Sequence, residues 1–184
     1  MLKRIAVFCG SSLGTPEKYD IAARQVGRAI ARQGRTLVYG SGSRGLMGQV
    51  AMAAQREGGY VVAVNVERFR DNPYTLDTDE YTVEATMQSR KVAMIEKSDG
   101  CIAIPGGMGT FDELTEICCM NQIDLADLPV GILNVDGYFD GLLLQLRRAV
   151  EDGFMTPQDL GRIQVAQDIE TLLALLDQAA EKKQ

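Results

Sequence analysis

The sequence predicts an α/β fold in which helices cover both faces of a mostly parallel, doubly wound sheet. Short, β-rich apolar runs alternate with helical patterns from one end of the chain to the other. Three glycine-rich turns follow strand-like runs, and no linker, repeat or low-complexity block interrupts the alternation. Strands joined by helices make right-handed crossovers, which place successive strands parallel. We therefore expect residues 1–184 to form a single domain.

Strands are predicted where branched or aromatic apolar residues cluster in short runs. These are residues 3–9, 36–39, 60–66, 100–104, 130–135 and 163–165, with a brief extended segment at 83–85. Helices are predicted where apolar residues recur every three or four positions, as they do at Tyr19, Ala23, Val26 and Ile30. These are residues 16–33, 46–57, 86–98, 110–122, 138–152 and 168–180, and residues 67–79 are expected to form the one long loop.

The composition is that of an ordinary globular protein, with 46% apolar residues, 24% charged residues and a formal net charge of −6. This negative balance disfavours nucleic acids and acidic membrane surfaces as partners. The apolar runs fall short of the ~20 residues that a membrane span needs, and the beginning of the chain lacks a signal-peptide core. We therefore expect a cytoplasmic protein.

The chain contains no histidine, which restricts the chemistry that it can perform. Ser–His and Cys–His nucleophile pairs and histidine-ligated zinc are excluded, so a general acid or base must be a carboxylate, Lys, Tyr or Cys. Carboxylates have the best-placed candidates. Cys9, Cys101, Cys118 and Cys119 form no C-x-x-C pair, and their apolar surroundings predict buried, reduced thiols.

The three glycine-rich turns are residues 9–14, 40–45 and 105–109. In a doubly wound sheet, the loops at the carboxyl ends of the strands meet at one edge, and ligands bind near the point where the strand order reverses. This Rossmann-like arrangement predicts a nucleotide-sized pocket. Ser12 of the first turn and Gly42 of the second turn are candidate substrate contacts.

The third turn is the most informative segment of the sequence. Gly106, Gly107 and Gly109 follow an apolar strand and, with Met108 and Thr110, lead into a helical pattern. Glycines allow the backbone to approach a ligand closely, and a helix N-terminus offers free N–H groups and partial positive charge. The segment therefore predicts a cradle for an anion, most simply a phosphate.

Two carboxylates, Asp112 and Glu113, follow this cradle directly and lie near whatever the phosphate is attached to. Two structural explanations compete with a catalytic role. Thr110 and Glu113 have the spacing of a capping box, and the helix dipole favours acidic residues in a first turn. The dipole explains Asp112 better than a function does, whereas a cap leaves the glycines unexplained.

Gly40, Gly42 and Gly45 match the dinucleotide fingerprint G-x-G-x-x-G between a strand and a helix. The fingerprint normally occupies the first strand–helix turn, whereas this is the second, and only Glu67 approximates the acidic residue that binds the ribose. No Gly-Lys-Ser/Thr of a Walker loop occurs. A tight turn that packs helix on strand explains the glycines about as well, so we favour a mononucleotide.

Arg90 and Lys91 form a second candidate cluster, at the start of the helix that precedes the 100–104 strand. Adjacent basic residues usually form a solvated surface. The amino-terminal half of this helix is directed toward the loop ends, however, where a phosphorylated substrate would lie. There Arg90 could make bidentate contacts and Lys91 could supply a point charge.

Five segments together resemble the Lonely guy family of cytokinin riboside 5′-monophosphate phosphoribohydrolases. They run in order along nearly the whole chain, at residues 4–12, 45–48, 87–91, 105–113 and 129–138, and the motifs M-x-x-R-K and P-G-G-x-G-T-x-x-E are specific to this family. The resemblance implies hydrolysis of the N-glycosidic bond of a nucleoside 5′-monophosphate, which yields the free base and ribose 5-phosphate. It also implies a homodimer with active sites near the subunit interface, and no metal or organic cofactor.

By motif match, the resemblance implies that Arg90 and Glu113 are catalytic and that Lys91 and residues 106–110 line the nucleotide site. The older family label, lysine decarboxylase, gains no support, because no lysine has the sequence context of a pyridoxal-phosphate site. A non-catalytic nucleotide carrier, similar to the molybdenum-cofactor carrier proteins, is the alternative. An NAD-dependent oxidoreductase built on residues 40–45 is a weaker third class.

Four positions depart from the family pattern, at Ser41, Gln88, Cys119 and Met120. The last two lie two turns along the helix that carries Glu113, where they affect the expected base preference more than the reaction. A general purine 5′-monophosphate nucleosidase is therefore as compatible with the sequence as a cytokinin-activating enzyme.

Overall fold

The computed structural model describes residues 1–72 and 75–182. Within these residues, seven parallel strands form one sheet in the order β4-β3-β2-β1-β5-β6-β7. The strands are β1 Arg4–Phe8, β2 Thr36–Tyr39, β3 Val61–Val66, β4 Glu80–Glu84, β5 Gly100–Ala103, β6 Val130–Leu133 and β7 Ile163–Ala166.

Helices connect the strands and cover both faces of the sheet. They are α1 Glu17–Arg32, α2 Gly45–Arg56, α3 Met87–Glu96, α4 Met108–Gln122, α5 Asp140–Glu151, α6 Pro157–Gly161 and α7 Ile169–Glu181, with 3₁₀ turns at Glu67–Phe69 and Val135–Gly137. Side chains of α1, α2 and α7 pack in one apolar cluster, and those of α3, α4 and α5 pack in a second.

Alternation along β1 shows how the two clusters are separated. Ile5 and Val7 belong to the first cluster, whereas Ala6 and Phe8 belong to the second, because successive side chains of a strand point to opposite faces. All four are buried, as expected for a strand in the middle of a parallel sheet. The predicted doubly wound α/β fold is confirmed.

The strand order reverses beside β1, which pairs with β2 on one side and with β5 on the other. The loops that follow β1 and β5 therefore leave the same edge of the sheet in different directions and open a crevice between them. Within the crevice the backbone N–H of Gly10 donates to the carbonyl of Pro105 at 3.1 Å, which fixes the two loops to each other.

The sequence predictions differ from the structure mainly where elements are short or lie at an edge. The extended segment predicted at 83–85 belongs to a five-residue strand, Glu80–Glu84, that pairs with β3 at the edge of the sheet. Its half-exposed polar side chains hid the strand pattern. The predicted loop 67–79 begins with a 3₁₀ turn, and its residues 73 and 74 lie outside the described residues. The five-residue helix α6 was missed because it is too short to show a period.

The cysteine prediction holds for three of the four thiols. Cys9 and Cys101 are buried at strand positions, and Cys118 is partly buried. Cys119 is exposed, because it lies on the outward side of α4. Within residues 1–72 and 75–182, no helix combines the length and the apolar character needed to cross a membrane.

Arg35, just before β2, forms a buried ion pair with Asp177 of α7. Its guanidinium donates to both carboxylate oxygens, at 3.0 and 2.7 Å, and the carboxylate also accepts from the backbone N–H of Leu2. Because the Arg35 side chain is 2% exposed, removing Asp177 would leave its charge buried and uncompensated. We expect Asp177→Ala to lower the free energy of unfolding by about 3 kcal/mol in urea denaturation.

The control is the exposed pair Arg148–Asp152, where Asp152→Ala should change stability little.

Partial burial opposes ionisation of Asp177, but Arg35 and the Leu2 N–H outweigh it and lower the pKa of the carboxyl in the folded protein. Its stabilisation is therefore present above the unfolded pKa and lost as the pH falls through the folded pKa. A difference between wild type and Asp177→Ala that does not shrink in acid would contradict this account.

Candidate active site

A cleft of about 290 Å³ opens at the carboxyl edge of the sheet. Its floor is formed by the loop after β1 and the ends of β2 and β3, and its sides by the first turns of α3 and α4. The lining residues are Cys9, Gly10, Ser11, Gly40, Met47, Asn65, Val66, Phe69, Met87, Arg90, Gly107, Met108, Gly109, Thr110 and Glu113.

The amino end of α4 forms one side of this cleft. Gly107 is the N-cap residue, and among the described residues no side chain accepts a hydrogen bond from the first turn. A Cβ atom added at Gly107 or at Gly109 would meet nothing within 4 Å, so the space beside this backbone is open. Unsatisfied N–H groups at a positive helix end therefore face an accessible cavity, which is the geometry of an anion site.

The capping box that the spacing of Thr110 and Glu113 allows does not form. The helix begins at Met108 rather than at the predicted residue 110, so Thr110 lies inside the first turn instead of capping it. Thr110 Oγ1 is buried and has no hydrogen-bond partner within the described part of the chain. The carboxylate of Glu113 is directed to a different side chain, that of Arg90.

Arg90 of α3 is buried below the cleft and is held by three elements at once. Its Nη1 donates to Glu113 Oε1 at 3.0 Å, its Nε donates to the carbonyl of Val64 at 3.0 Å, and its Nη2 donates to the carbonyl of Gly40 at 3.1 Å. The side chains of Arg90 and Glu113 are 7% and 12% exposed. A guanidinium stays charged in a protein, so its burial depends on these acceptors.

The electrostatic setting of Glu113 suits acid–base chemistry. Burial raises the pKa of its carboxyl above the ordinary glutamate value, and this effect outweighs the opposing influence of the Arg90 guanidinium. Asp112 raises the pKa further, and Lys91 lowers it. A carboxyl whose pKa is raised toward neutrality by burial beside a specific cation, in a cleft, is a typical proton-transfer group.

Lys91 does not line the cleft and joins α3 to α4 through a second set of ion pairs. Its Nζ lies 3.0 Å from Asp112 and 2.8 Å from Glu116, and its side chain is 11% exposed. Burial opposes protonation, but the hydrogen bonds to Glu116 and Asp112 outweigh it, and the pKa of Lys91 is raised. Together with the Arg90–Glu113 pair, three ion pairs therefore bridge the two helices.

Six of the ten predicted site residues line the cleft, namely Arg90, Glu113, Gly107, Met108, Gly109 and Thr110. Ser12 and Gly106 line a neighbouring cavity of about 230 Å³, which shares Gly10 and Gly107 with the cleft. Lys91 and Gly42 line neither cavity.

The second glycine-rich turn does not offer a dinucleotide site. The helix N–H groups that a pyrophosphate would need are already bonded within the protein, since Leu46 N donates to the carbonyl of Ser12 and Met47 N to that of Gly10. A Cβ atom at Gly45, whose φ is +62°, would lie 2.2 Å from the carbonyl carbon of Ser11. The close packing of two loops accounts for this glycine and counts against the NAD hypothesis.

Nine lining residues were not predicted as site residues. Six of them lie in the glycine-rich turns or in the segments that carry the family resemblance, and sequence reasoning missed the other three, Asn65, Val66 and Phe69. Only Asn65 gave a usable signal, because it is the single polar residue in the buried strand VVAVNV. Burial and the nearby Glu113 raise the pKa of the Cys9 thiol far above neutrality, so it remains a neutral thiol and a poor nucleophile. Nowhere in the described residues do three Cys, Asp or Glu side chains come together in a group that could hold a metal ion.

Comparison with known proteins identifies the family. Residues 47–176 match the family model described as possible lysine decarboxylase. Over 156 residues the chain is 44% identical to cytokinin riboside 5′-monophosphate phosphoribohydrolase LOG5 of Arabidopsis thaliana, covering 84% of this chain and 68% of that protein. A probable phosphoribohydrolase of the same kind from Oryza sativa subsp. japonica, LOGL9, is 39% identical over 177 residues, or 96% and 78% of the two chains. The chain belongs to this family of cytokinin riboside 5′-monophosphate phosphoribohydrolases.

Solved structures of more distant proteins share the fold of this phosphoribohydrolase family member. The molybdenum cofactor binding protein of Rippkaea orientalis superposes with a TM-score of 0.73 over 97% of both chains, at 22% identity. The Moco carrier protein of Chlamydomonas reinhardtii gives 0.72 over 99% of both chains, at 24% identity. At these identities the likeness establishes the fold alone.

The position of Arg90 depends on the absence of a side chain at Gly40. A Cβ atom there would lie 1.8 Å from Arg90 Nη2, whereas a Cβ atom at Gly42 would lie 2.6 Å from the flexible end of Met47. We expect Gly40→Ala to displace the guanidinium, to move the Arg90 Nε–H signal in ¹⁵N NMR spectra and to lower the free energy of unfolding by about 2 kcal/mol. Gly42→Ala is the matched control and should do neither. Equal effects of the two substitutions would show that Arg90 does not depend on Gly40.

Proposed function

We propose that this protein hydrolyses the N-glycosidic bond of a nucleoside 5′-monophosphate of the cytokinin riboside or adenine type, releasing the free base and ribose 5-phosphate. One observation carries the proposal: the uncapped amino end of α4 and the buried Arg90–Glu113 pair open onto the same cleft. Membership of a family whose relatives are named for this reaction supports it.

The phosphate binds at the amino end of α4. The open space at Gly107 and Gly109 admits the phosphate oxygens to the backbone N–H groups of the first turn. Thr110 Oγ1, which is buried and has no partner among the described residues, supplies a hydroxyl donor in the same turn. Binding at this point anchors the part of the substrate that does not react, so that the sugar is held in a fixed position.

Glu113 acts on the sugar. It lies five residues beyond Met108, a rise of about 7.5 Å along the helix, which is comparable to the span of ribose 5-phosphate. The bond from C1′ to the base breaks with its electron pair on the base nitrogen, which takes up a proton from the solvent, and a water oxygen bonds to C1′. The Glu113 carboxylate stabilises the cationic sugar and accepts the proton of that water.

Arg90 keeps Glu113 directed at the reacting bond and supplies positive charge beside it. Without this cation, burial alone would favour the protonated carboxyl, which can neither stabilise a cationic sugar nor accept a proton. The same pair favours the enzyme over a non-catalytic nucleotide or molybdenum-cofactor carrier, because a carrier has no need of a buried carboxylate beside its ligand. From the family resemblance we further propose a cytoplasmic homodimer that uses no metal or organic cofactor.

The reaction is tested by incubating the protein with AMP, isopentenyladenosine monophosphate and adenosine, and by measuring the free base and the reducing sugar. We expect release from both monophosphates and none from adenosine, because the phosphate anchor is required. Glu113→Gln and Arg90→Ala should each lower kcat at least a hundredfold with the fold intact by circular dichroism. Tight binding of AMP without turnover by the wild type would instead identify a carrier.

The pH profile tests the electrostatics of Glu113. If the ionised carboxylate is the active form, activity falls as the pH drops through its raised pKa, so the acidic limb lies above the ordinary glutamate range. Removing the Lys91 charge with Lys91→Met should move this limb to higher pH, whereas Asp112→Asn should move it to lower pH. Both changes break the same ion pair, so their opposite signs separate electrostatics from loss of structure.

Glu116→Gln is the control for this measurement. It removes the other partner of Lys91, but Glu116 is not among the groups that shift the pKa of Glu113. The acidic limb should therefore stay close to its wild-type position. Shifts of the same sign in Lys91→Met and Asp112→Asn would contradict the assignment of the limb to Glu113.

A further inference from the structure

Phe69 supplies an exposed aromatic surface inside the cleft. It ends the 3₁₀ turn after β3, and it is the aromatic side chain among the described residues that line the cavity. The Arg68 guanidinium lies 5.9 Å from the centroid of its ring, yet the residue is still 49% exposed. A ring left this open is not part of the core, and an exposed aromatic face within a cleft is suited to stacking.

Asn65 fixes the backbone that carries this ring. The residue is 5% exposed, and its Nδ2 donates to the carbonyl of Phe69 at 3.0 Å and to the hydroxyl oxygen of Tyr81 at 2.9 Å. Its Oδ1 accepts from the backbone N–H of Val66 at 2.8 Å. A buried amide is unfavourable in an apolar strand unless its groups are bonded, and here the bonds tie the 3₁₀ turn to β3 and β4.

The same strand end also positions the catalytic pair. Val64, whose carbonyl accepts from Arg90 Nε, directly precedes Asn65. With the phosphate at the amino end of α4 and the sugar beside Glu113, the remaining part of the nucleotide is the base. The walls of the cleft that are left for it are the end of β3, the 3₁₀ turn and the apolar side chains of Met47 and Met87.

We infer that Phe69 is the platform on which the base of the nucleotide stacks, and that Asn65 is the positioning residue that holds this platform in place. The inference rests on the proposed function, since it assigns the base contact of the same site. On this inference, the Phe69 ring recognises the base by stacking on its flat face, and hydrogen bonds to the edge of the base are not needed at this side of the cleft. Both N–H donors of the Asn65 amide are used within the protein, on the Phe69 carbonyl and the Tyr81 hydroxyl.

The first experiment compares a ligand with a base and one without. In a Glu113→Gln background, which prevents turnover, calorimetry gives the Kd of AMP and of ribose 5-phosphate. We expect Phe69→Ala to raise the Kd of AMP about tenfold and to leave the Kd of ribose 5-phosphate unchanged, because only AMP carries a base that can stack. Phe69→Tyr keeps the ring and should bind AMP as the parent does. Equal weakening of both ligands, or no change in either, overturns the inference.

The second experiment tests whether Asn65 acts through Phe69. Asn65→Asp keeps the shape of the side chain but removes the donor to the Phe69 carbonyl. It should therefore raise the Kd of AMP severalfold and leave the Kd of ribose 5-phosphate unchanged. When Phe69→Ala is already present, Asn65→Asp should not raise the Kd of AMP further, because the platform is absent. Tyr81→Phe removes the other partner of Asn65 and should have little effect. Full additivity in the double variant would show that Asn65 does not act through Phe69.

These measurements separate the inference from the proposed reaction. Binding in the Glu113→Gln background does not require turnover. Selective loss of AMP binding in Phe69→Ala supports the platform even if the wild type hydrolyses no monophosphate, which would overturn only the proposed reaction. Hydrolysis of AMP together with unchanged AMP binding in Phe69→Ala would overturn the platform and leave the reaction in place.

Discussion

The buried charge of Arg90 determines how this edge of the sheet is assembled. A guanidinium cannot lose its proton in a protein, so it can be buried only where acceptors are already in place. Three elements supply them: the end of β2 through Gly40, the third strand through Val64 and the helix α4 through Glu113. The ends of the neighbouring strands β2 and β3 and the helix α4 therefore meet at the Arg90 guanidinium. The same requirement keeps position 40 free of a side chain.

The carboxylate that compensates this charge is the group with the most suitable chemistry in the cleft. Burial pushes Glu113 toward its neutral form, and the guanidinium pulls it back toward the charged form. The balance leaves a carboxyl whose pKa is raised above the ordinary glutamate value, in a chain that has no histidine for acid–base chemistry. Lys91 bridges to Asp112 and Glu116, so the spacing of α3 and α4 does not depend on the Arg90–Glu113 pair alone.

Two helices begin after glycine-rich turns at this edge, and their amino ends serve different purposes. The first turn of α2 receives carbonyl oxygens from the loop after β1, which closes it to ligands and packs the loop in place. The first turn of α4 has no side-chain cap among the described residues and faces open space at Gly107 and Gly109. Both turns are glycine-rich in sequence, but only the second leaves its N–H groups for an anion.

The sequence by itself determined the α/β class, the order of the long elements and the glycine-rich edge, and the family motifs singled out Arg90 and Glu113. These features depend on local periodicity and on short motifs, both of which are visible in a linear chain. The edge strand β4 was misplaced because its polar, half-exposed side chains conceal the strand pattern, and the helix α6 was missed because five residues are too few to show a helical period.

Only the tertiary structure decided what each polar group contacts. It placed Thr110 inside the first turn of α4, directed Lys91 to Asp112 and Glu116, and brought Asn65 and Phe69 into the cleft. Capping spacing, adjacent basic residues and an isolated asparagine are each compatible with several partners in sequence. The partner is selected by which elements the sheet order brings together, and that order is a property of the whole fold.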